Sequence, residues 1–117
     1  MVSFRVFFVS IHMQIEENVV TISVSGSFDI GCYESFNASY RPYLTSSDHE
    51  FIIDMTATDY IDSSALGVLL LLRERTGGDK GRVLITNVGE SAMRIFKVAN
   101  FKQLFNIQEA KATYKAS

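Results

Sequence analysis

The sequence predicts an α/β protein with a mixed, partly parallel central sheet of four to five strands packed with helices. Three observations carry this. Strand-like and helix-like patterns alternate along the chain, which is how crossover helices build parallel sheets. Phe51-Ile52-Ile53-Asp54-Met55 is a short continuous apolar run, the pattern of a strand buried on both faces. Ala65 to Leu72 (ALGVLLLL) is apolar throughout but far short of the about 20 residues that cross a bilayer, so it reads as a core helix.

The elements follow in order. Val2, Phe4, Val6 and Phe8 alternate with Ser3, Arg5, Phe7 and Val9, a period of two rich in strand formers. Two readings of residues 1–12 stand: an extra strand on a sheet edge, or a leader from an upstream start codon with Met13 as the natural start. The stretch lacks the basic n-region and small-residue cleavage site of a signal peptide. Met13 to Ser25 reads as two strands about a tight turn at Glu17 and Asn18, with Val20, Ile22 and Val24 on one face. Gly26 ends the second strand. In Ile30 to Leu44, Tyr33, Phe36, Tyr40 and Tyr43 fall at helical spacing, with Asp29 as N-cap and Pro42 ending or bending the helix near Arg41.

After a polar loop and the Phe51–Met55 strand, Thr56 to Asp62 leads into SSALGVLLLLRERTGG. Asp62 or Ser63 caps this helix and Gly77-Gly78 stops it. Leu66, Leu69 and Leu70 are expected in the core, with Leu71 or Leu72 outward. Arg82 to Asn87 is the next strand. Glu90 to Ala99 is an amphipathic helix with Met93, Ile95 and Phe96 inward, and Phe101 to Ile107 is a turn and final short strand. Gln108 to Ser117 is a polar tail.

A length of 117 residues argues for one domain large enough to fold without disulfide or metal. The net charge of −2, with acids and bases intermixed, leaves no basic patch for nucleic acid. Neither direct nucleic-acid binding nor membrane insertion is therefore expected. The lone cysteine, Cys32, cannot form an internal disulfide; it fits a reducing, cytoplasmic setting and a buried small-hydrophobe role.

Catalytic options are thin. A metal site needs converging ligands, and the two histidines are His12 and His49. No cofactor, metal or catalytic residue is expected. Ile61-Asp62-Ser63-Ser64-Ala65 is not the G-x-S-x-G of a nucleophile elbow, and only His49 offers a base. Thr76-Gly77-Gly78-Asp79-Lys80-Gly81 follows a helix and precedes a strand, the reverse of a P-loop.

Asp62-Ser63-Ser64-Ala65-Leu66-Gly67 is the informative segment. The plain reading is capping, one side chain satisfying free N–H groups at the helix start. Capping needs one polar residue, not three in a row, nor the small pair Ala65 and Gly67. A hydroxyl at this point lies at the carboxyl end of the sheet, where α/β folds put their sites. A phosphate there would be favoured by the helix dipole, so its effect would fall on a docked partner.

The run Phe51 to Gly67, FIIDMTATDYIDSSALG, resembles the STAS domain, the fold of anti-sigma factor antagonists, whose hallmark is a buried strand followed by D-S-[ST]-[GA]-L-G. Gly26-Ser27-Phe28-Asp29 matches the family's early G-x-[LF]-D element. Arg82–Asn87, Met93-Arg94-Ile95-Phe96 and Phe101–Ile107 match its later pattern. Ala65 stands where many members have glycine. The S-A-L-G-x-L-L-L-L-R run is similar to the proteobacterial, biofilm-regulating type. The resemblance implies a single STAS domain over 13–110, preceded by the extension 1–12.

It also implies a phosphorylation-controlled partner switch. Ser63 takes the phosphoacceptor's place, supported by Asp62, Ser64 and Asp29, with Asp29, Asp62, Ser63, Ser64 and Leu66 meeting the partner. Ser64 reads as a local cap. In such proteins the unphosphorylated form binds an anti-sigma factor or a GHKL-type serine kinase, phosphorylation releases it, and a PP2C-type phosphatase restores it. The alternatives are a STAS module that binds a small ligand or serves as a subunit of a transport or signalling complex, and a minor hydrolase using Ser63.

Overall fold

Eight strands and three helices form in a computed structural model that describes residues 3–7 (as backbone), 10–45, 49–78 and 82–111. In chain order they are β1 (Ser3–Phe7), β2 (Ile11–Glu16), β3 (Val19–Val24), β4 (Gly26–Phe28), α1 (Tyr33–Tyr40), β5 (Glu50–Asp54), β6 (Thr58–Ile61), α2 (Ser63–Arg75), β7 (Val83–Val88), α3 (Glu90–Val98) and β8 (Asn106–Glu109). Short 3-10 turns occupy Ile30–Cys32, Arg41–Tyr43 and Phe101–Gln103. The main sheet runs β1-β2-β3-β5-β7-β8, and β4 and β6 make a second sheet of two strands. The β1-β2-β3 pairings are antiparallel and those of β3, β5, β7 and β8 parallel, so the sheet is mixed as expected. Its sixth strand is β1.

Local chemistry sets the turns. Glu17 takes φ 57° in the tight turn between β2 and β3. Gly26, at φ 75°, redirects the chain from β3 into the second sheet, a conformation a side chain would strain. Pro42 converts the end of α1 into the 3-10 turn at Arg41–Tyr43 because it can neither donate an N–H nor continue the helix. The last six residues, the loop positions 46–48 and 79–81, and residues 1, 2, 8 and 9 lie outside the described part. Most of the polar tail expected from Gln108 therefore falls there, apart from its first residues, which finish β8.

One sheet face is packed and the other is open. Ile11, Met13, Val20, Ile22, Val24, Phe51, Ile53, Val83 and Ile85 are buried, whereas their alternates Gln14, Thr21, Ile52, Asp54 and Leu84 are only half-buried. The expectation of a Phe51–Met55 strand buried on both faces is thus corrected: Ile52 belongs to the uncovered face, since the helices pack on the other. Over the packed face lie Phe28, Phe36, Tyr40 and Phe51 in a chain of aromatic contacts, and Phe96, Phe101 and Phe105 in another.

The leucine run of α2 is phased differently from the expectation. Ala65, Val68, Leu69 and Leu72 are buried, while Leu70 is 36% exposed and Leu66 half-buried. A helix apolar on every side carries no polar face to set its rotation, so packing decides. Thr76 continues the buried stripe, its hydroxyl donating to the Leu72 carbonyl at 2.9 Å. Ile95 of α3 is likewise half-buried, leaving Ala92, Met93 and Phe96 as its core face. Leu72→Ala is expected to cost about 2–5 kcal/mol through the cavity it leaves, and Leu70→Ala within about 0.5 kcal/mol. Paired urea titrations read the difference directly.

Two polar ties hold the layers. The buried Tyr40 hydroxyl donates to Asn37 Oδ1 at 3.0 Å and accepts from Arg75 Nη1 at 3.3 Å, linking α1 to α2. Burial pushes this phenol up, against the opposing hydrogen bond and charge of Arg75. The Arg82 guanidinium donates twice to the His49 carbonyl (3.2 and 2.7 Å) and once to that of Thr76 (2.8 Å), satisfying an acceptor at the end of α2.

Candidate functional site

The site is built by the small sheet. Pairing of Phe28 with Ile61 brings the next residues of each strand, Asp29 and Asp62, to neighbouring positions, and the Asp62 N–H donates to the Phe28 carbonyl at 3.4 Å. Each aspartate then starts a helical segment. Asp62 is the N-cap of α2, with extended backbone (φ −126°, ψ −175°) and its Oδ1 accepting from the Ser64 N–H at 2.9 Å. Asp29 caps the turn Ile30–Cys32 that runs straight into α1, its Oδ1 accepting from the Gly31 N–H at 2.9 Å. A Cβ on Gly31 would come within 3.1 Å of that same oxygen, so glycine keeps the cap unstrained.

Ser63 is the first residue of α2 and is exposed. Its hydroxyl makes no hydrogen bond among the described residues, because the capping is done by Asp62. Ser64, expected as a local cap, contributes its backbone N–H to the Asp62 carboxylate instead, and its side chain does not cap the helix. Leu66 stands one turn further along α2 from Ser63, on the same side of the helix. Four of the five expected positions therefore run together at the start of α2, and the β4–β6 pairing adds the fifth, Asp29. Asp62→Ala is expected to lower stability by ~1 kcal/mol and Asp62→Asn by much less, since asparagine caps as well as aspartate; thermal unfolding compares the two.

Exposed apolar side chains stand close to these acids in the chain, Ile30 directly after Asp29 and Tyr60 two residues before Asp62. Ile30 is 67% exposed, Tyr60 54% and Tyr33 40%. On the α3 side a cavity of about 300 Å³ is lined by Leu66, Arg94, Ile95, Val98 and Ala99, with Val98 86% exposed at its rim. Sequence reasoning missed Ile30, Tyr60, Arg94 and Val98. The amphipathic pattern of α3 leaves Val98 outside its buried face, an apolar residue where a polar one is expected, and that was the available signal.

Other polar groups are structural. Burial pushes the Asp54 carboxyl up, but hydrogen bonds from Thr56 Oγ1 (2.6 Å), Asn87 Nδ2 (3.0 Å) and the Thr56 N–H (3.0 Å) outweigh it and hold the group below the usual carboxylate range. This knot fastens the end of β5 to Asn87 in β7. Cys32 is buried, its thiol donating to the Ser27 carbonyl at 3.2 Å. Among the described residues no three His, Cys, Asp or Glu side chains converge to hold a metal ion, and no helix is long and apolar enough to cross a membrane.

A mixed sheet whose β3, β5, β7 and β8 run parallel, two capped helix starts brought together by a second small sheet, and an exposed serine at the head of α2 make up an α/β fold with its candidate site at one helix start. The STAS domain model matches residues 10–114, and the chain belongs to that family. It is 35% identical over 88 residues, 75% of this chain and 86% of the relative, to a STAS-domain containing protein of Pseudomonas aeruginosa (strain UCBPP-PA14). Among solved structures, an anti-sigma factor antagonist from Mycobacterium paratuberculosis superposes with a TM-score of 0.70 at 17% identity, covering 92% of this chain and 86% of that one. The unphosphorylated anti-sigma factor antagonist SpoIIAA superposes with a TM-score of 0.65 at 16% identity, covering 87% and 89%. Its phosphorylated form from Bacillus gives the same TM-score and identity over 83% and 89%.

Proposed function

We propose that the chain is a phosphorylation-controlled partner-switching regulator. Unphosphorylated, it binds an anti-sigma factor or a GHKL-type serine kinase; phosphorylation of Ser63 releases the partner, and a PP2C-type phosphatase resets the switch. The observation that carries this reading is the division of labour at the head of α2: Asp62 caps the helix, so the exposed Ser63 hydroxyl is left without a structural task. A phosphate on Ser63 would face the free N–H groups of the first turn, where negative charge is tolerated. Its two anionic neighbours, Asp29 and Asp62, make the spot hostile to a further charge in a closed interface.

The partner surface in this reading comprises Asp29, Asp62, Ser63, Ser64 and Leu66, extended by the apolar rim of Ile30, Tyr60 and Val98. Exposed large apolar side chains close to one another are a common mark of an interaction surface. The domain is taken as residues 13–110 and the setting as the bacterial cytoplasm, with transcription as the regulated output and biofilm growth as the process under it. The test is a pull-down from the source cell with Ser63→Ala and Ser63→Glu baits in parallel. A kinase or anti-sigma factor retained by the alanine bait and lost by the glutamate bait supports the switch. Identical retention on both would reduce Ser63 to an ordinary helix residue and favour the ligand-binding or complex-subunit reading.

A further inference from the structure

The two edges of the main sheet are unequally protected. At one end, β8 has four residues, Asn106, Gln108 and Glu109 are exposed, and its register with β7 breaks between Ile85 and Val88. Short length, polar side chains and irregular pairing are the devices by which proteins close a sheet edge to other chains. At the other end, β1 pairs with β2 over all five residues, Ser3 with Glu16 through Phe7 with His12, without a shift in register. The five residues of β1, SFRVF, contain a single charge, Arg5, and neither glycine nor proline. Such a strand presents alternate N–H and C=O groups outward in a regular row, with little in its sequence to discourage a neighbour.

We infer that β1 is a self-association edge, on which a second copy of this chain adds its own β1 antiparallel. A second copy suits this edge because antiparallel pairing of a strand with itself about a twofold axis matches every outward donor to an acceptor. The contact is isologous: it uses β1 on both sides and closes at two chains, while the protected β8 edges end the sheet. The product is one continuous sheet of twice the six strands. None of Asp29, Asp62, Ser63 or Leu66 lies on β1, so the inference stands whether or not Ser63 is a switch.

Sedimentation equilibrium of the full chain tests this, together with amide hydrogen exchange along residues 3–7 at low and high protein concentration. The expected result is a mass rising with concentration from 13.1 kDa towards twice that value. Every amide from Ser3 to Phe7 should be slow to exchange in the dimer, but only alternate ones in the monomer. Ser63→Glu should dimerise equally, and Val6→Lys should shift the equilibrium to monomer at least tenfold. If Val6→Lys detaches β1 altogether, the exchange pattern of the unmodified chain still decides. A mass of 13.1 kDa at all concentrations, or a dimer whose β1 amides stay alternately fast, would overturn the inference.

Discussion

Ser63→Glu is expected to weaken the complex with the anti-sigma factor or serine kinase by more than about a hundredfold, while Ser63→Ala binds as the unmodified chain does. The magnitude follows from charge burial. A phosphoserine brings close to two negative charges at neutral pH, and leaving such charge unpaired in an interface costs several kcal/mol. Even ~3 kcal/mol is more than a hundredfold in Kd. Glutamate carries one charge, so its effect is the lower bound of the phosphate's. The fold should not register the change, because Ser63 is exposed, Asp62 holds the cap and the helix start favours an anion. Calorimetric titration of the purified partner into each variant, with unfolding curves beside it, separates a lost interface from a lost fold. Equal affinities would remove the switch.

Phe51→Ala should produce the largest loss of stability of any single change considered. Phe51 is 1% exposed in β5, stands edge-on to the Tyr40 ring at 6.3 Å, and lies under the Arg82 guanidinium at 6.0 Å. Truncation removes the ring and leaves a cavity that β5, paired on both sides, cannot collapse into. The expected cost is ~3–5 kcal/mol, a large part of the about 5–15 kcal/mol that holds a domain together. Calorimetry should then find Tm lower by on the order of 10–25 °C. A fall of a few degrees would mean that the ring is not a central part of the core.

The α/β class, the order of the main elements and the capped start of α2 at Asp62, Ser63 and Ser64 were legible because each rests on local chemistry. Val20, Ile22 and Val24 alternate, Pro42 stops a helix, and Asp62 precedes an apolar run; all three act within a few residues of themselves. What was not legible depends on partners distant in sequence. Gly26–Phe28 and Thr58–Ile61 are too short to read as strands, yet their pairing is what brings Asp29 beside Asp62. The resemblance supplied that proximity; the residues alone did not.

The phase of α2 was misread for the opposite reason. Leu66, Leu69, Leu70, Leu71 and Leu72 are all apolar, so hydrophobicity could not say which face turns inward. The side toward α1 and the sheet took Leu69 and Leu72 and left Leu70 partly in solvent. The open sheet face is a similar case. Ile52 is as apolar as its neighbours Phe51 and Ile53, but every helix lies on their side. The sequence around β5 carries no mark of that choice.

The measurement that bears most directly on the switch is the affinity of one partner for two preparations of the native chain, one stoichiometrically phosphorylated and one treated with a PP2C-type phosphatase. Peptide mapping would confirm where the phosphate sits. A phosphoryl group on Ser63 that lowers affinity by at least the hundredfold expected of the glutamate variant, and full recovery after dephosphorylation, is the predicted result. A phosphate found elsewhere with Ser63 unmodified, or equal affinity of the two preparations, would contradict it.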